Sequence, residues 1–256
     1  MSKDVISLNE YAHKLLIEHK DERVFQFDFH GKLFWLKQPE HLHGIFRLLK
    51  PYPKKSFLKE IKKLQCFSSK HAPVPRLVLF DNDFLILEDG GKTVSDLLSE
   101  NANNLAFKKE LLLDSVKALN DLHKANLIHG RPAIRDMTWN NHKVLFIDFE
   151  VSSRKQDLQW QKIRDMAIFF HGLCRKDFIS DDEIQYAMEQ YENICDPQLW
   201  QAFIQLVTKY KFVYSLLKPI KSILGTDLMA VYRLLHIILK KNKSEGKIVQ
   251  SYSIKD

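Results

Sequence analysis

Glycine is scarce in this chain: there are eight among 256 residues, and only Gly31 stands in the stretch before Gly44. That scarcity excludes a glycine-rich loop near the start of the sequence. Cysteine is scarcer still. Cys66, Cys174 and Cys195 are odd in number, far apart and without CxxC or Cys/His ligand spacing. They exclude a disulfide framework and a structural zinc site, and fit a reducing compartment. No apolar run approaches the roughly 20 residues that a membrane span needs, so at most a peripheral membrane contact is expected. The opening residues, where Lys3 and Asp4 lead into "SLNEYAHKLLIEHKDE", carry no apolar core of a secretory signal. Internal repeats, low-complexity tracts and long linkers are also missing.

What is present is an ordinary globular composition, 45% hydrophobic and 28% charged, enough for one large domain or two coupled lobes. The net charge of +7 is unevenly spread. Residues 32 to 70 hold ten Lys/Arg against Glu40 and Glu60, and residues 209 to 256 hold ten against Asp227, Glu245 and Asp256. Such runs read either as solvated helix faces or as surfaces that meet something anionic: a phosphorylated glycolipid, a membrane surface or nucleic acid. The aromatic-basic interleaving of an RNA-binding module is missing, which disfavours nucleic acid.

Along the chain, residues 7 to 20 read as a short amphipathic helix, and "RVFQFDF-HGK-LFWLKQ" as a hairpin around a His-Gly turn. In "PYPKKSFLKEIKKLQCF", Pro51 and Pro53 open a lysine-rich helix with Phe57, Ile61 and Leu64 on one face. "VPRLVLF-DND-FLILED" is a second hairpin, ended by Gly90-Gly91. The chain then turns helical. Leu112, Val116, Leu119 and Leu122 mark a helix buried on one side, two short strands surround "NNHK", and residues beyond about 156 read as helices. In the last of these, Leu228, Val231, Leu235 and Ile238 form the expected apolar stripe.

Four features follow in a fixed order: a lysine ending a strand (Lys37 in "FWLK"), a glutamate on the next helix (Glu60), "IHG" with a polar loop (129 to 136), and an aspartate at a strand end (Asp148 in "IDF"). That order resembles the protein-kinase signature set, and the resemblance implies that the lysine would hold the α- and β-phosphates of a nucleotide, the glutamate would orient the lysine, and Asp148 would hold Mg2+. Residues 20 to 175 resemble the small atypical kinases of bacteria and archaea, namely the lipopolysaccharide-core (Kdo/heptose) kinases, the RIO-like kinases and the KEOPS-complex kinase. The resemblance rests on "FWLK", "LKEIKKL", "LILEDGG", "LHKANLIHG", "FIDFE" and "KIRDMAIFF". It implies an α+β, two-lobed protein-kinase-like fold. Residues 1–89 would form a small β-rich N-lobe with one lysine-rich helix besides the short N-terminal one. Residues 90–256 would form a larger helical C-lobe. By the same resemblance, backbone near Glu88 and Asp89 would bind adenine, and His129 and Asp165 would support the catalytic loop from beneath.

The chain departs from that pattern in three places. The glycine-rich loop is missing, and Asp148-Phe149 is followed by Glu150 where protein kinases have glycine. The third departure is the loop "HGRPAIRD". One register puts Arg131 at the catalytic aspartate and Asp136 at the metal-binding asparagine. The other puts Asp136 at the aspartate and Asn141 at the asparagine, but then Asn141 falls inside the "NNHK" turn, which favours the first. Asp165 stands only seventeen positions after Asp148. That leaves no room for a long peptide-docking activation segment and favours a small or lipid-linked acceptor.

The expected function is therefore an ATP- and Mg2+-dependent phosphotransferase acting on an anionic phosphosugar or glycolipid, cytoplasmic and peripheral at the inner membrane. The alternatives are a pseudokinase scaffold with an anionic partner and a RIO-like protein kinase.

Overall fold

The computed structural model describes residues 6–39, 53–149 and 157–252; Pro51 and Glu150, singled out above, lie outside the described residues. The fold is mixed α+β, and the chain divides into two compact units, Met1–Gly91 and Lys92–Asp256.

In the first unit the alternation of "VFQFDF" and "KLFWLK" becomes β1 (Val24–Phe29) and β2 (Lys32–Lys37). They are paired antiparallel through the two-residue turn His30-Gly31, both with positive φ (52° and 76°). A turn of that kind matches the right-handed twist of a hairpin, and it is the reason glycine stands there. Strands β3 (Leu77–Phe80) and β4 (Leu85–Glu88) complete a four-stranded antiparallel sheet in the order β1-β2-β4-β3. Their turn is closed by Asp81, whose Oδ1 accepts from the N–H groups of Asp83 (2.6 Å) and Phe84 (2.9 Å).

Phe25, Phe27, Phe34, Leu36, Phe84 and Ile86 form one core with Ala12 and Leu15 of helix α1 (Leu8–Glu18). Each buried Phe, Leu or Ile of this core is worth about 1.5–3 kcal/mol over exposure. Ser7 and Glu10 start α1 with a capping box. Helix α2 (Pro53–Ser69) buries Phe57, Ile61, Leu64 and Phe67.

The second unit contains a three-stranded sheet of β5 (Lys92–Thr93), β6 (Met137–Asn140) and β7 (Lys143–Phe146), in that order. Helices α3 (Val94–Glu100) and α4 (Leu105–Lys124) precede β6. Then follow α5 (Leu158–Cys174), α6 (Asp181–Ile194), α7 (Pro197–Lys209), α8 (Lys211–Leu217), a 3-10 segment (Lys218–Ile223) and α9 (Thr226–Tyr252). The α4 stripe of Leu112, Val116, Leu119 and Leu122 is fully buried. Phe170, Tyr191, Trp200 and Phe203 tie α5, α6 and α7 into one aromatic cluster.

The expected stripe on α9 needs correction. Leu235 and Ile238 are buried, but Leu228 is half exposed, and the buried set is completed by Ala230, Leu234 and Ile237. Arg233 explains the rotation. Its guanidinium donates to the carbonyls of Cys174 (2.7 Å) and Ile179 (2.7 Å) and to Asp181 (2.8 Å), which fixes α9 about its axis against the α5–α6 connection. Among the described residues no helix is long and apolar enough to cross a membrane.

Candidate functional site

In the first unit the period-2 pattern of β2 sends Phe34 and Leu36 to the α1 side and Lys37 to the other. On α2, Glu60 immediately precedes the buried Ile61. Lys37 Nζ donates to Glu60 Oε1, with only 12% and 18% of the two side chains exposed. An exposed ion pair contributes roughly 0–1 kcal/mol, but a pair this sheltered leaves an uncompensated charge if either partner is removed. The lysine and glutamate read from the sequence are thus brought together.

The backbone expected to meet adenine lies at the end of β4. The N–H of Glu88 donates to Arg76 O (3.0 Å) and that of Asp89 to Leu33 O (3.1 Å), which engages those two donors within the first unit. The Asp89 carboxylate accepts from Trp35 Nε1 (2.6 Å), Gln26 Nε2 (3.1 Å) and Gly91 N (3.0 Å), latching the end of β4 to the sheet.

The second unit holds the polar loop. Asp165, on the buried face of α5 and fully buried, accepts from the backbone N–H of His129 (2.8 Å) and of Gly130 (3.1 Å). Two donors on one buried carboxylate compensate its desolvation and pin the loop's start. His129 is pinned again through its ring. Its Nδ1 accepts from Arg131 N (3.2 Å), which leaves the proton on Nε2 to donate to Ile147 O (3.0 Å). Arg164 Nη1 donates to Gly130 O (2.7 Å). Behind this clamp His123 Nδ1 meets Tyr191 Oη at 2.8 Å, and His123 Nε2 lies 3.6 Å from Asp165. Burial lowers the His123 pKa against the pull of Asp165.

The loop ends in a 3-10 turn, Ile134–Asp136. Asp136 is buried, and its backbone carbonyl accepts from Ile147 N (2.9 Å), which sets it beside the next residue, Asp148. Burial raises the Asp136 pKa most; the Arg135 charge opposes this, Asp148 adds to it and Arg131 again opposes. Asp136 Oδ1 lies 3.5 Å from Arg135 Nε, while Oδ2 is buried without a hydrogen-bond partner among the described residues. Asp148 adopts a left-handed φ of 57°. Few non-glycine residues do so, and such strain accumulates at functional sites. Asn141 sits exposed at the tip of the β6–β7 hairpin, with a φ of 48°, at the opposite end of those strands from Asp136. Asn141, the metal-position residue of the second register, is therefore remote from Asp148, whereas Asp136, the metal-position residue of the first, lies beside it.

Two acidic side chains, one buried with an orphaned oxygen, form a fitting oxygen-ligand set for a small hard cation such as Mg2+. Sequence reasoning missed Arg164 and His123. The sequence signal for His123 was a histidine in step with the apolar stripe of α4; Arg164 carried none beyond its place next to Asp165.

A protein of Haemophilus influenzae described as "Uncharacterized protein" is 45% identical to this chain over 234 residues, covering 91% of this chain and 97% of that protein. The chain belongs to the family of that protein. No family model matches it.

Proposed function

We propose that the chain is an ATP- and Mg2+-dependent phosphotransferase of two-lobed, protein-kinase-like design. In this reading it belongs with the lipopolysaccharide-core kinase-like group and phosphorylates a sugar or lipid-linked hydroxyl. The observation that carries the reading is Asp136, a buried carboxylate with one unpartnered oxygen and a second carboxylate, Asp148, beside it. Like charges held together in partial burial are costly unless a proton or a cation neutralises them.

Asp136 and Asp148 would hold the metal, and Lys37, oriented by Glu60, the nucleotide phosphates. Bound Mg2+ supplies neutralisation of the charge on the transferring group. Asp165 and His129 hold the loop rigid before any ligand arrives, so the ordering cost is met in folding. A guanidinium is not a general base, so the part of Arg131 is positive charge toward the phosphoryl group or the acceptor. Loss of a general base costs about 10²–10⁴ in rate, which gives a slow kinase.

The short stretch from Asp148 to Asp165 supports a small or lipid-linked acceptor over a folded protein. A cytoplasmic location peripheral at the inner membrane is supported by exposed apolar residues set among lysines, Phe212, Leu216, Ile220 and Ile223. A second reading, a scaffold with a closed site, draws on the charges of Arg131 and Arg135, both of which act on Asp136.

Calorimetric titration with ATP, with and without Mg2+, tests the proposal. Mg2+-dependent binding is expected, together with turnover that Asp148→Ala abolishes. Wild-type protein without Mg2+-dependent ATP binding would sink the phosphotransferase reading, and turnover lost in Asp148→Ala would remove the scaffold.

A further inference from the structure

A cavity of about 440 Å³ opens beside the loop within the second unit. Its charged walls are of one sign. Arg131 and Arg135 come from the loop, Arg175 and Lys176 from the end of α5, with His171 one turn before, and no carboxylate lines it. Two acids neighbour these cations without lining the cavity: Asp136 lies 3.5 Å from Arg135 Nε, and Asp227 pairs with Arg175 Nε at 2.9 Å while its backbone carbonyl meets His171 Nε2 at 3.3 Å. Thr226, the first residue of α9, also lines the cavity. The amino end of α9 thus borders the cavity beside the carboxyl end of α5, two helix ends of opposite sign, so the cationic side chains set its charge.

Gly172 supplies the independent observation. It lies inside α5, where glycine costs about 0.5–1 kcal/mol relative to alanine. Its φ is not left-handed and a Cβ built there meets nothing within 4 Å, so neither backbone nor packing within the unit demands glycine. It lines the cavity, and its missing side chain keeps that space open.

We infer that this cavity is the binding site for an anionic group, a phosphate monoester already carried by the acceptor, held while a neighbouring hydroxyl is presented to the loop. The inference rests on the proposed phosphotransferase function and names its substrate class: an acceptor that enters already phosphorylated. Arg131 belongs to both places, lining the cavity and acting on Asp136. Its guanidinium therefore links the acceptor's fixed phosphate to the reacting centre. Arginine suits this because its planar fork grips phosphate oxygens in pairs. An arginine where a base is expected thus gains a use in acceptor recognition.

The test titrates glucose 6-phosphate, glucose and phosphatidic acid micelles into wild type, Gly172→Glu and Arg175→Gln/Lys176→Gln, with Mg-ATP titrated separately into each. Gly172→Glu places a negative charge in the cavity at a position with room for a side chain, so the fold is retained, as circular dichroism would check. The expected result is that a phosphorylated probe binds wild type while glucose does not, and that both variants weaken it about tenfold or more. Glucose 6-phosphate or phosphatidic acid as the better ligand separates a sugar-borne from a lipid-borne phosphate. Unchanged affinity in both variants, or no binding of either phosphorylated probe, overturns the assignment. Mg-ATP binding distinguishes the two failures: intact with phosphate binding absent, only the cavity assignment falls; absent with phosphate binding intact, only the phosphotransferase reading falls.

Discussion

Asp165 is where one side chain controls the most backbone. Its two oxygens take the N–H groups of His129 and Gly130. Asp165→Asn keeps the volume but turns an amide NH2 toward one of the two N–H groups, leaving that donor buried and unsatisfied. Hydrogen bonds to charged groups contribute about 1.5–3 kcal/mol each, so the variant should lose about that much in urea unfolding. Mg-ATP binding should weaken as well, because Asp136 hangs from the same loop. A variant as stable as wild type would show that the clamp adds nothing. Lys37 and Glu60 meet as their spacing suggested, because a strand end and the adjacent helix leave two sheltered opposite charges little alternative. The side-chain role of Asp89 was not legible: nothing in the pattern of an aspartate after a strand shows that its carboxylate takes the Trp35 indole N–H.

At the scale of elements, the join between α4 and α6 depends on Lys108 and Glu183, 2.7 Å apart with side chains 3% and 6% exposed. Lys108 also donates to Phe178 O (2.5 Å), and Glu183 accepts from Ser180 N at the start of α6. Removing one member strands the other charge, so Lys108→Met should cost about 3–5 kcal/mol in denaturant unfolding. Burial alone would raise the Glu183 pKa, but the hydrogen bonds from Lys108 and Ser180 outweigh it and lower the value. A carboxyl lowered on folding contributes stability that is complete above its unfolded pKa and is lost as pH falls through the folded one. Wild type should therefore lose Tm on acidification through the carboxylate range, and Lys108→Met should show a smaller loss across it. Equal slopes would refute the coupling. The 3.6-residue period revealed α4, whose apolar stripe is unbroken. It misjudged the rotation of α9, because that helix is apolar on more than one side and Arg233, bound to three carbonyls and Asp181, decides which side turns inward.

At the scale of the whole molecule, charge and exposed apolar area coincide on one stretch. From Pro197 to Thr226 the chain holds Lys209, Lys211, Lys218 and Lys221 and no acid. Phe212, Leu216, Ile220 and Ile223 are 57%, 65%, 43% and 79% exposed among those lysines. Neither signal suffices for stable membrane contact alone, since firm peripheral binding takes an apolar insertion together with a basic patch. Near an anionic bilayer each lysine contributes about 1 kcal/mol, so four give roughly 4 kcal/mol, comparable to burying two large apolar side chains. The protein should accordingly sediment with phosphatidylglycerol-containing vesicles and not with pure phosphatidylcholine, and release as salt shortens the screening length. Leu216→Ser/Ile223→Ser should weaken binding at every salt concentration. Lys218→Glu/Lys221→Glu should weaken it most at low salt, where the electrostatic part is largest. Equal binding to neutral and anionic vesicles would leave the lysines without this role, and no binding to either would remove the membrane from the proposed function while leaving the loop, its carboxylates and the cationic cavity to be judged on nucleotide and acceptor binding.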